Sequence, residues 1–394
     1  MNADNATPPQ PSGVNFEKAT LLWSLPWDAD WISAVSFLGP KHVAAGNNLG
    51  EILLWELPDK PELAPEPPEK TKAASGGDKN ERPLHTAPPP ARQFVGHSNV
   101  INRLLSAENR WLISASNDHT IRYWDLQASP GASARHVLNA RLIEDIARNK
   151  SSGRKSPPPL EVEVRTQPAA KTIQGSEWIV GLSMSRDQST LIAGDDAGGI
   201  VILNRAAGTE KKRWQVKGWA YAVALSPDLK QALVSERYPL VFDSGRHSAV
   251  KLWNAESATV QHDLSKEFKD MQIGAAAYSL DGKVLAIGRG GEADGKVFLL
   301  DPVTGKKERE LSPVHQYGIT DLAFHPDGRH IATTGRDTVV RIWNVADGKL
   351  VKELGKPRGG QFKDWFHALS FSPDGTRIAA ADMAGFVHIW QFGG

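Results

Sequence analysis

The stretch HQYGITDLAFHPDGRHIATTGRDTVVRIWN, residues 315–344, decides the fold, because it contains three short runs with the pattern of β-strands. These runs are Ile319–Phe324, His330–Thr333 and Val339–Trp343, which are rich in β-branched and large apolar residues. Pro326-Asp327-Gly328 separates the first two as a turn, since proline presets φ, aspartate can bond its own backbone and glycine accepts a positive φ. The stretch therefore predicts an antiparallel meander, which needs neighbours of the same kind to bury its faces.

The same pattern recurs in six other parts of the chain. Aligned on Trp343, these units carry Trp or Leu at the end of the third run: Trp55, Trp124, Leu203, Trp253, Leu300 and Trp390. A period of about 40 to 45 residues with four strands per unit is typical of a β-propeller. The sequence therefore predicts an all-β protein, a propeller of seven blades. Two units depart from the tryptophan, but the apolar alternation persists in every unit and should preserve the fold.

The repeats resemble those of the WD-repeat β-propeller family. The resemblance is carried by Gly96-His97 with Asn117–Asp125 (NDHTIRYWD), and by His315 with Arg336–Asn344 (RDTVVRIWN). It extends from about residue 20 to residue 392. It implies the propeller fold and says little about function, since one fold hosts many functions.

One ring accounts for most of the chain. The expected parts are a polar, proline-rich, disordered tail at residues 1–18 and a single propeller at 19–394, with insertions at 57–91 and 127–172. In the second insertion, Ala134–Asn149 carries apolar residues at helical spacing. Part of that segment is alternatively the outer strand of the second blade, a role for which Leu160–Arg165 competes. The pattern does not decide between them.

The first strand has no unit before it, and the last unit lacks a strand. Ala19–Pro26 reads as a strand, whereas the chain ends at Trp390–Gly394 without the fourth strand that follows the third run in other units. Pairing the first strand with the last unit would remove two exposed edges. The sequence therefore predicts a ring closed by the N-terminal strand.

Composition excludes several classes of function. The formal net charge of +1 gives no basic footprint for nucleic acid. The chain has no cysteine, and its histidines show no ligand spacing, so we expect neither a metal nor another cofactor. No apolar signal core or membrane-length run is present. These observations predict a monomeric cytoplasmic protein that binds neither nucleic acid nor a membrane.

Two units contain the same four polar or aromatic residue types. The two sets are His97, Ser114, Asp118 and Trp124, and His315, Thr333, Asp337 and Trp343. In the family that the chain resembles, these types form a buried hydrogen-bond network that ties the strands of a blade together. Ser, His and Asp also suggest a catalytic triad, but a nucleophile arrangement would not be repeated in two blades. We therefore predict a structural network and no catalytic residue.

Tryptophan recurs at the position that opens the first strand. Six residues before the end of each first run stand Trp31, Asn99, Trp178, Trp219, Gln272, Gly318 and Trp365, with Tyr317 beside Gly318. Repetition around the ring would place these residues at one mouth of the central channel, where tryptophan can anchor a partner. Alternatively, each indole fills the space between neighbouring blades. Blades three to five are favoured for binding, because the long loops Glu236–His247 and Arg289–Gly295 should rise beside Trp219 and Gln272.

The sequence thus predicts a non-catalytic scaffold that binds a protein or peptide partner at the channel mouth, with the two insertions as a second contact surface. The alternative is a propeller enzyme, a hydrolase or lyase with its active site in the central channel. That alternative would require a deep channel cavity and titratable groups with shifted pKa values.

Overall fold

The computed structural model describes residues 13–27, 31–66, 82–148, 155–238, 248–355 and 365–394. In chain order its strands are β1 (Asn15–Pro26), β2 (Ile32–Phe37), β3 (His42–Asn47), β4 (Ile52–Glu56), β5 (Pro90–Val95), β6 (Ile101–Ala107), β7 (Trp111–Ser116), β8 (Thr120–Asp125), β9 (Ser133–Val137), β10 (Glu161–Pro168), β11 (Lys171–Gln174), β12 (Ile179–Met184), β13 (Thr190–Asp195), β14 (Gly199–Asn204), β15 (Glu210–Gln215), β16 (Trp219–Leu225), β17 (Gln231–Arg237), β18 (Ser248–Asn254), β19 (Thr259–Asp263), β20 (Ile273–Tyr278), β21 (Leu285–Arg289), β22 (Val297–Leu300), β23 (Lys307–Glu310), β24 (Ile319–Phe324), β25 (His330–Gly335), β26 (Val339–Asn344), β27 (Leu350–Gly355), β28 (Phe366–Phe371), β29 (Arg377–Asp382) and β30 (Phe386–Gly393). Within these ranges the chain forms one helix, α1 (Ala140–Arg148).

The strands form seven sheets that close into a ring. From the channel outwards, the seven blades in chain order are β2-β3-β4-β5, β6-β7-β8-β11, β12-β13-β14-β15, β16-β17-β18-β19, β20-β21-β22-β23, β24-β25-β26-β27 and β28-β29-β30-β1. Each innermost strand contacts those of both neighbouring blades, and β28 contacts β2, which completes the circle. The prediction of a seven-bladed β-propeller is confirmed.

The N-terminal strand closes the ring as predicted. β1 pairs antiparallel with β30 from Asn15 opposite Gly393 to Pro26 opposite Phe386. The strand begins four residues before the predicted start at Ala19, because the Phe16 ring packs 4.7 Å from that of Phe392 in the core between blades six and seven. Residues 15–18 therefore belong to the strand and were wrongly placed in the tail. Of the rest of that predicted tail, residues 13 and 14 lead into the strand, and residues 1–12 lie outside the described residues.

The second insertion differs from both sequence alternatives. Its segments β9 and β10 are strands, but they extend blade one, where β10 runs parallel to β5 and β9 pairs antiparallel with β10. The outer strand of blade two is instead β11, which pairs with β8. The predicted helix is confined to α1. Leu138 precedes α1 and is buried in the core of blade one, which explains why the apolar spacing began before the helix.

The apolar core lies between the blades. Seven apolar clusters each join two neighbouring blades; the cluster between blades seven and one, for example, contains Trp23, Trp55 and Ile389. The Trp/Leu position at the end of the third strand belongs to these clusters, and Leu203 and Leu300 are buried there in place of tryptophan. Because the core lies between sheets, no blade can bury its faces alone.

Blades without the His, Asp and Trp set stabilise the loop between their second and third strands in another way. Asn47 at the end of β3 accepts hydrogen bonds from the backbone N–H groups of Leu49 (3.0 Å) and Glu51 (2.9 Å). Asp195, at the end of β13, does the same for its own loop, and Asp382 accepts one such bond at the end of β29. A polar side chain at this single position thus satisfies the loop backbone, in line with the rule that buried N–H groups are paired.

Candidate binding site at the channel mouth

In blade two, the four residues predicted to form a network are joined in one chain of hydrogen bonds. Trp124 Nε1 donates to Ser114 Oγ at 3.0 Å, Ser114 Oγ lies 2.6 Å from His97 Nε2, and His97 Nδ1 lies 2.7 Å from Asp118 Oδ2. Burial lowers the pKa of His97, and the interaction with Asp118 offsets this only in part. The neutral ring can therefore donate from Nδ1 to the carboxylate and accept the Ser114 proton at Nε2. The Ser114 hydroxyl is therefore buried and already hydrogen-bonded to His97 and Trp124.

Blade six repeats the network. His315 Nδ1 lies 2.8 Å from Asp337 Oδ1 and its Nε2 lies 2.8 Å from Thr333 Oγ1, to which Trp343 Nε1 donates at 2.9 Å. Arg341 Nη1 also donates to Asp337 at 2.9 Å. Burial acts to raise the pKa of Asp337, but the hydrogen bond and charge of His315, the Gln316 backbone N–H and the Arg341 charge together outweigh it and hold the pKa below its usual value. Both sets thus lie inside their blades, between the strands.

The predicted rim residues lie at the amino-terminal ends of the inner strands, on one side of the ring. Trp31, Trp178 and Trp219 are 46%, 44% and 36% exposed. The half-buried members are Asn99, Gln272, Tyr317 and Trp365, whereas Gly318 is buried. We call this side of the ring the mouth face; it also carries the loops between second and third strands.

The indoles of the mouth face divide into two kinds. The Trp31 ring is nearly parallel to that of His367 in blade seven, with centroids 6.0 Å apart and an interplanar angle of 16°. The Arg336 guanidinium of blade six lies 4.7 Å from the centre of the Trp365 ring. These two indoles thus pack between blades. Trp178 and Trp219 make no ring contact within the described ranges, although both are largely exposed.

A β-bulge occurs at the same place in all seven inner strands. The residues that it leaves out of the ladder are Ser33, Asn102, Val180, Tyr221, Gly274, Thr320 and His367. In three blades the bulged side chain donates to a backbone carbonyl of the next blade: Ser33 to Ile101 (2.6 Å), Asn102 to Ile179 (2.8 Å) and Thr320 to Phe366 (2.6 Å). In blade five a Cβ on Gly274 would lie 2.1 Å from the Ile319 oxygen, so only glycine allows the close approach. In these blades the bulge therefore brings neighbouring inner strands into direct contact.

Blades four and seven place aromatic rings at this bulge position instead. Tyr221 and His367 line a cavity of about 80 Å³ at the mouth, together with Gln272, Arg237 and Arg336. The cavity extends over blades four to seven, whereas the sequence favoured blades three to five. Sequence reasoning identified Gln272 but missed the other four residues. The loop Arg289–Gly295 does lie beside Gln272, since Gly290 N–H donates to its carbonyl at 2.7 Å; residues 239–247 of the other long loop lie outside the described residues.

Neither the His367 imidazole nor the Glu236 carboxylate adds a free charge to the mouth cavity. Burial, assisted by the nearby Arg336 charge, lowers the pKa of His367 to about 4, so that the ring is neutral at pH 7. Its Nε2 has no hydrogen-bond partner among the described residues. Glu236 is fully buried and forms an ion pair with Lys251 Nζ at 2.6 Å, while the Tyr238 hydroxyl donates to it at 2.9 Å. The cavity therefore keeps the two guanidinium charges.

Beneath the mouth, an ion pair crosses the channel. Arg103 Nη1 of blade two lies 3.0 Å from Asp321 Oδ1 of blade six, and Asp321 Oδ2 accepts the Leu369 backbone N–H of blade seven at 3.0 Å. Both side chains line a cavity of about 440 Å³, to which all seven inner strands contribute. The charged groups of the channel are thus bound to each other and to backbone, and they tie three blades together.

Within the ranges that the structure describes, no three His, Asp or Glu side chains are grouped so as to hold a metal ion. The helix in those ranges is too short to cross a lipid bilayer.

Three parts of the chain match a family model. Residues 88–125, 305–344 and 353–391 match the model described as WD domain, G-beta repeat. Each match starts at or near the outer strand of one blade and ends in the third strand of the next. The repeat of the sequence therefore joins two blades, which agrees with a core that lies between blades.

The chain is also similar to individual proteins. Protein HIR1 of Cryptococcus neoformans is 34% identical over 90 residues, which are 23% of this chain and 10% of that protein. The target of rapamycin complex subunit wat1 of Schizosaccharomyces pombe is 22% identical over 255 residues, 61% of this chain and 76% of that protein. The small ribosomal subunit protein RACK1y of Oryza sativa is 27% identical over 183 residues, 45% and 49% of the two chains. The matched part spans about a tenth of the first relative and half of the last. The matches to the family model and the closed ring of seven blades show that the chain contains WD repeats and folds as a seven-bladed β-propeller.

Proposed function

We propose that this protein is a non-catalytic, monomeric scaffold of the cytoplasm that binds an extended segment of a protein partner at its mouth face. The observation that carries the proposal is the exposure of Trp178 and Trp219, with Tyr221 42% exposed beside the channel. Large aromatic side chains are favoured as interface anchors, because their burial contributes strongly to binding. Rigid indoles on a fixed ring lose little conformational freedom when they do so.

The names of two relatives agree with this function. One is a subunit of a target of rapamycin complex, and another is a protein of the small ribosomal subunit. Both names describe components of larger assemblies. A comparable role for this chain, as a part that holds other proteins, is our proposal.

The chemistry of the channel gives less support to an enzyme. Arg103 and Asp321 are bound to each other, and the buried hydroxyls Ser114 and Thr333 belong to the networks inside their blades. His367 has a lowered pKa, but no nucleophile is hydrogen-bonded to it within the described part of the chain. A reaction would need a nucleophile and base within hydrogen-bond reach of each other.

The test is to remove the two unstacked indoles. The double variant Trp178→Ala, Trp219→Ala should lose its captured partners in quantitative affinity purification from native cells, by at least about tenfold, as expected when interface anchors are truncated. The matched control is Val260→Ala, Val303→Ala, which removes exposed apolar side chains away from the mouth face. Unchanged capture by the tryptophan variant, at unchanged thermal stability, would contradict the proposal.

A further inference from the structure

Two arginines of the mouth cavity have no anionic partner among the residues that the structure describes. Arg237 ends β17 and Arg336 follows β25, and both are half-buried. Within the described ranges neither guanidinium forms an ion pair or a hydrogen bond. Other arginines of the same protein are paired, such as Arg110 with Asp125 at 2.6 Å. A guanidinium that is partly removed from water without a counter-charge is costly, so the cavity favours an incoming anion.

Aromatic rings hold both guanidinium groups in place. Arg237 lies 5.9 Å from the centre of the Tyr221 ring, and Arg336 lies 4.7 Å from that of Trp365. A guanidinium over a ring face is attracted to the ring, and its N–H groups can still donate to a ligand. Gln272 and the hydroxyl-bearing Thr320 also line the cavity. The cavity thus offers preorganised donors and two positive charges.

In the described part of the chain, no carboxylate of the cavity cancels these charges. Glu236 is the acidic residue among the described lining residues, and it is neutralised by Lys251. It also accepts the backbone N–H groups of Lys217 (3.1 Å) and Gly218 (3.3 Å), so its oxygens are already engaged by other groups. Asp294, on the adjacent loop, is paired with Arg289.

The size of the cavity limits what can enter. Its volume of about 80 Å³ is well below the roughly 300–1,000 Å³ of a typical small-molecule or cofactor site. It suits the terminal group of one side chain. A carboxylate matches the forked donors of arginine in two parallel hydrogen bonds. The exposed Trp219 and Tyr221 beside the cavity would contact the apolar neighbours of that side chain.

We propose that the mouth cavity binds an aspartate or glutamate side chain of the partner, so that the preferred partner is an extended acidic peptide segment. This inference rests on the proposed function, because it specifies what the same face recognises. The carboxylate is held by Arg237 and Arg336, and the flanking residues pack on the exposed rings.

The experiment selects peptides on the full-length protein from a phage-displayed library of random twelve-residue peptides. Selected peptides should share one acidic position with apolar or aromatic neighbours. In fluorescence anisotropy with the best peptide, Glu→Gln or Asp→Gln at that position should weaken binding by about tenfold or more. The same change should have little effect on binding to Arg237→Gln, Arg336→Gln, because the charges it would contact are already gone. The variant Arg237→Lys, Arg336→Lys should bind the peptide with intermediate affinity, since lysine keeps the positive charge but lacks the paired N–H donors of a guanidinium.

The control variant is Lys283→Gln, Lys349→Gln. It removes the same net charge from exposed turns on the opposite side of the ring, and it should bind the peptide like the unmodified protein. Peptides whose binding depends on Trp178 and Trp219 but that share no acidic position would overturn the proposal of an acidic side chain and leave the proposed function standing. Peptides that bind equally well to the tryptophan variant, or a library that yields no binder, would count against the mouth face itself.

Discussion

Removal of residues 1–26 is expected to abolish folding to a monomeric propeller. β1 supplies Leu21, Trp23 and Leu25, all nearly fully buried, to the core of blades six, seven and one. One large buried apolar side chain contributes about 1.5–3 kcal/mol. The loss of three is comparable to the entire stability of a typical domain, roughly 5–15 kcal/mol. The truncation also exposes the edge of β30, which then becomes available for pairing between molecules. Size-exclusion chromatography and circular dichroism should show aggregated or unfolded protein.

A circular permutant tests whether the ring needs β1 itself or needs β1 at the N-terminus of the chain. Asn15 lies opposite Gly393, so a hairpin linker of about four residues can join the end of β30 to the start of β1. A chain that runs from residue 28 to 394, through this linker, and then from 13 to 27 should fold as a monomer. A truncated protein that remains monomeric with unchanged thermal stability would contradict closure of the ring by β1.

Asp337→Ala is expected to destabilise the protein by about 3–5 kcal/mol, as is typical when one partner of a buried ionic network is removed. The carboxylate is 1% exposed; it faces His315 Nδ1 and accepts a hydrogen bond from Arg341 Nη1. Without it, the His315 N–H and one guanidinium edge would be buried without an acceptor. Urea denaturation measures the change in the free energy of unfolding. Hydrogen–deuterium exchange should rise first in β24, β25 and β26.

Asp347→Ala is the matched control, because Asp347 lies in an exposed turn of the same blade and its carboxylate pairs with Lys349 Nζ at 3.4 Å. An exposed pair of this kind contributes little to stability, because water screens it. If both variants unfolded at the same urea concentration, the network of blade six would not have the structural role assigned to it here.

The fold could be predicted because its signals are local and repeated. Turns such as Pro326-Asp327-Gly328 recur in four of the seven units, and the buried Trp343 position recurs in all seven as Trp or Leu; their spacing indicates the blades. The second insertion could not be placed, because no local sequence signal indicates that β10 pairs with β5 instead of β8. β10 pairs in parallel with β5, which lies more than sixty residues earlier in the chain, and the repeat period of the sequence does not reveal such a pairing.

The site was only partly predictable for a similar reason. The tryptophans of the mouth face share one register, so Trp178 and Trp219 could be found by counting. Arg237, Arg336 and His367 come from three different blades and meet only after the ring closes. One signal was available in the sequence. The polar residues Ser33, Asn102 and Thr320 each stand at the second position of an inner strand, and the second position of β28 is His367. Recognition of this bulge position would have marked the histidine as a residue of the mouth.

Site-specific photocrosslinking tests most directly whether partners bind at the mouth face. A benzoylphenylalanine that replaces Trp219 stands at the mouth, and one that replaces Val303 stands in a turn between third and fourth strands, on the opposite side of the ring. Irradiation in native cells, followed by mass spectrometry, should yield partner adducts from position 219 and none of the same partners from position 303. Adducts of the same partners from position 303 alone would contradict the account.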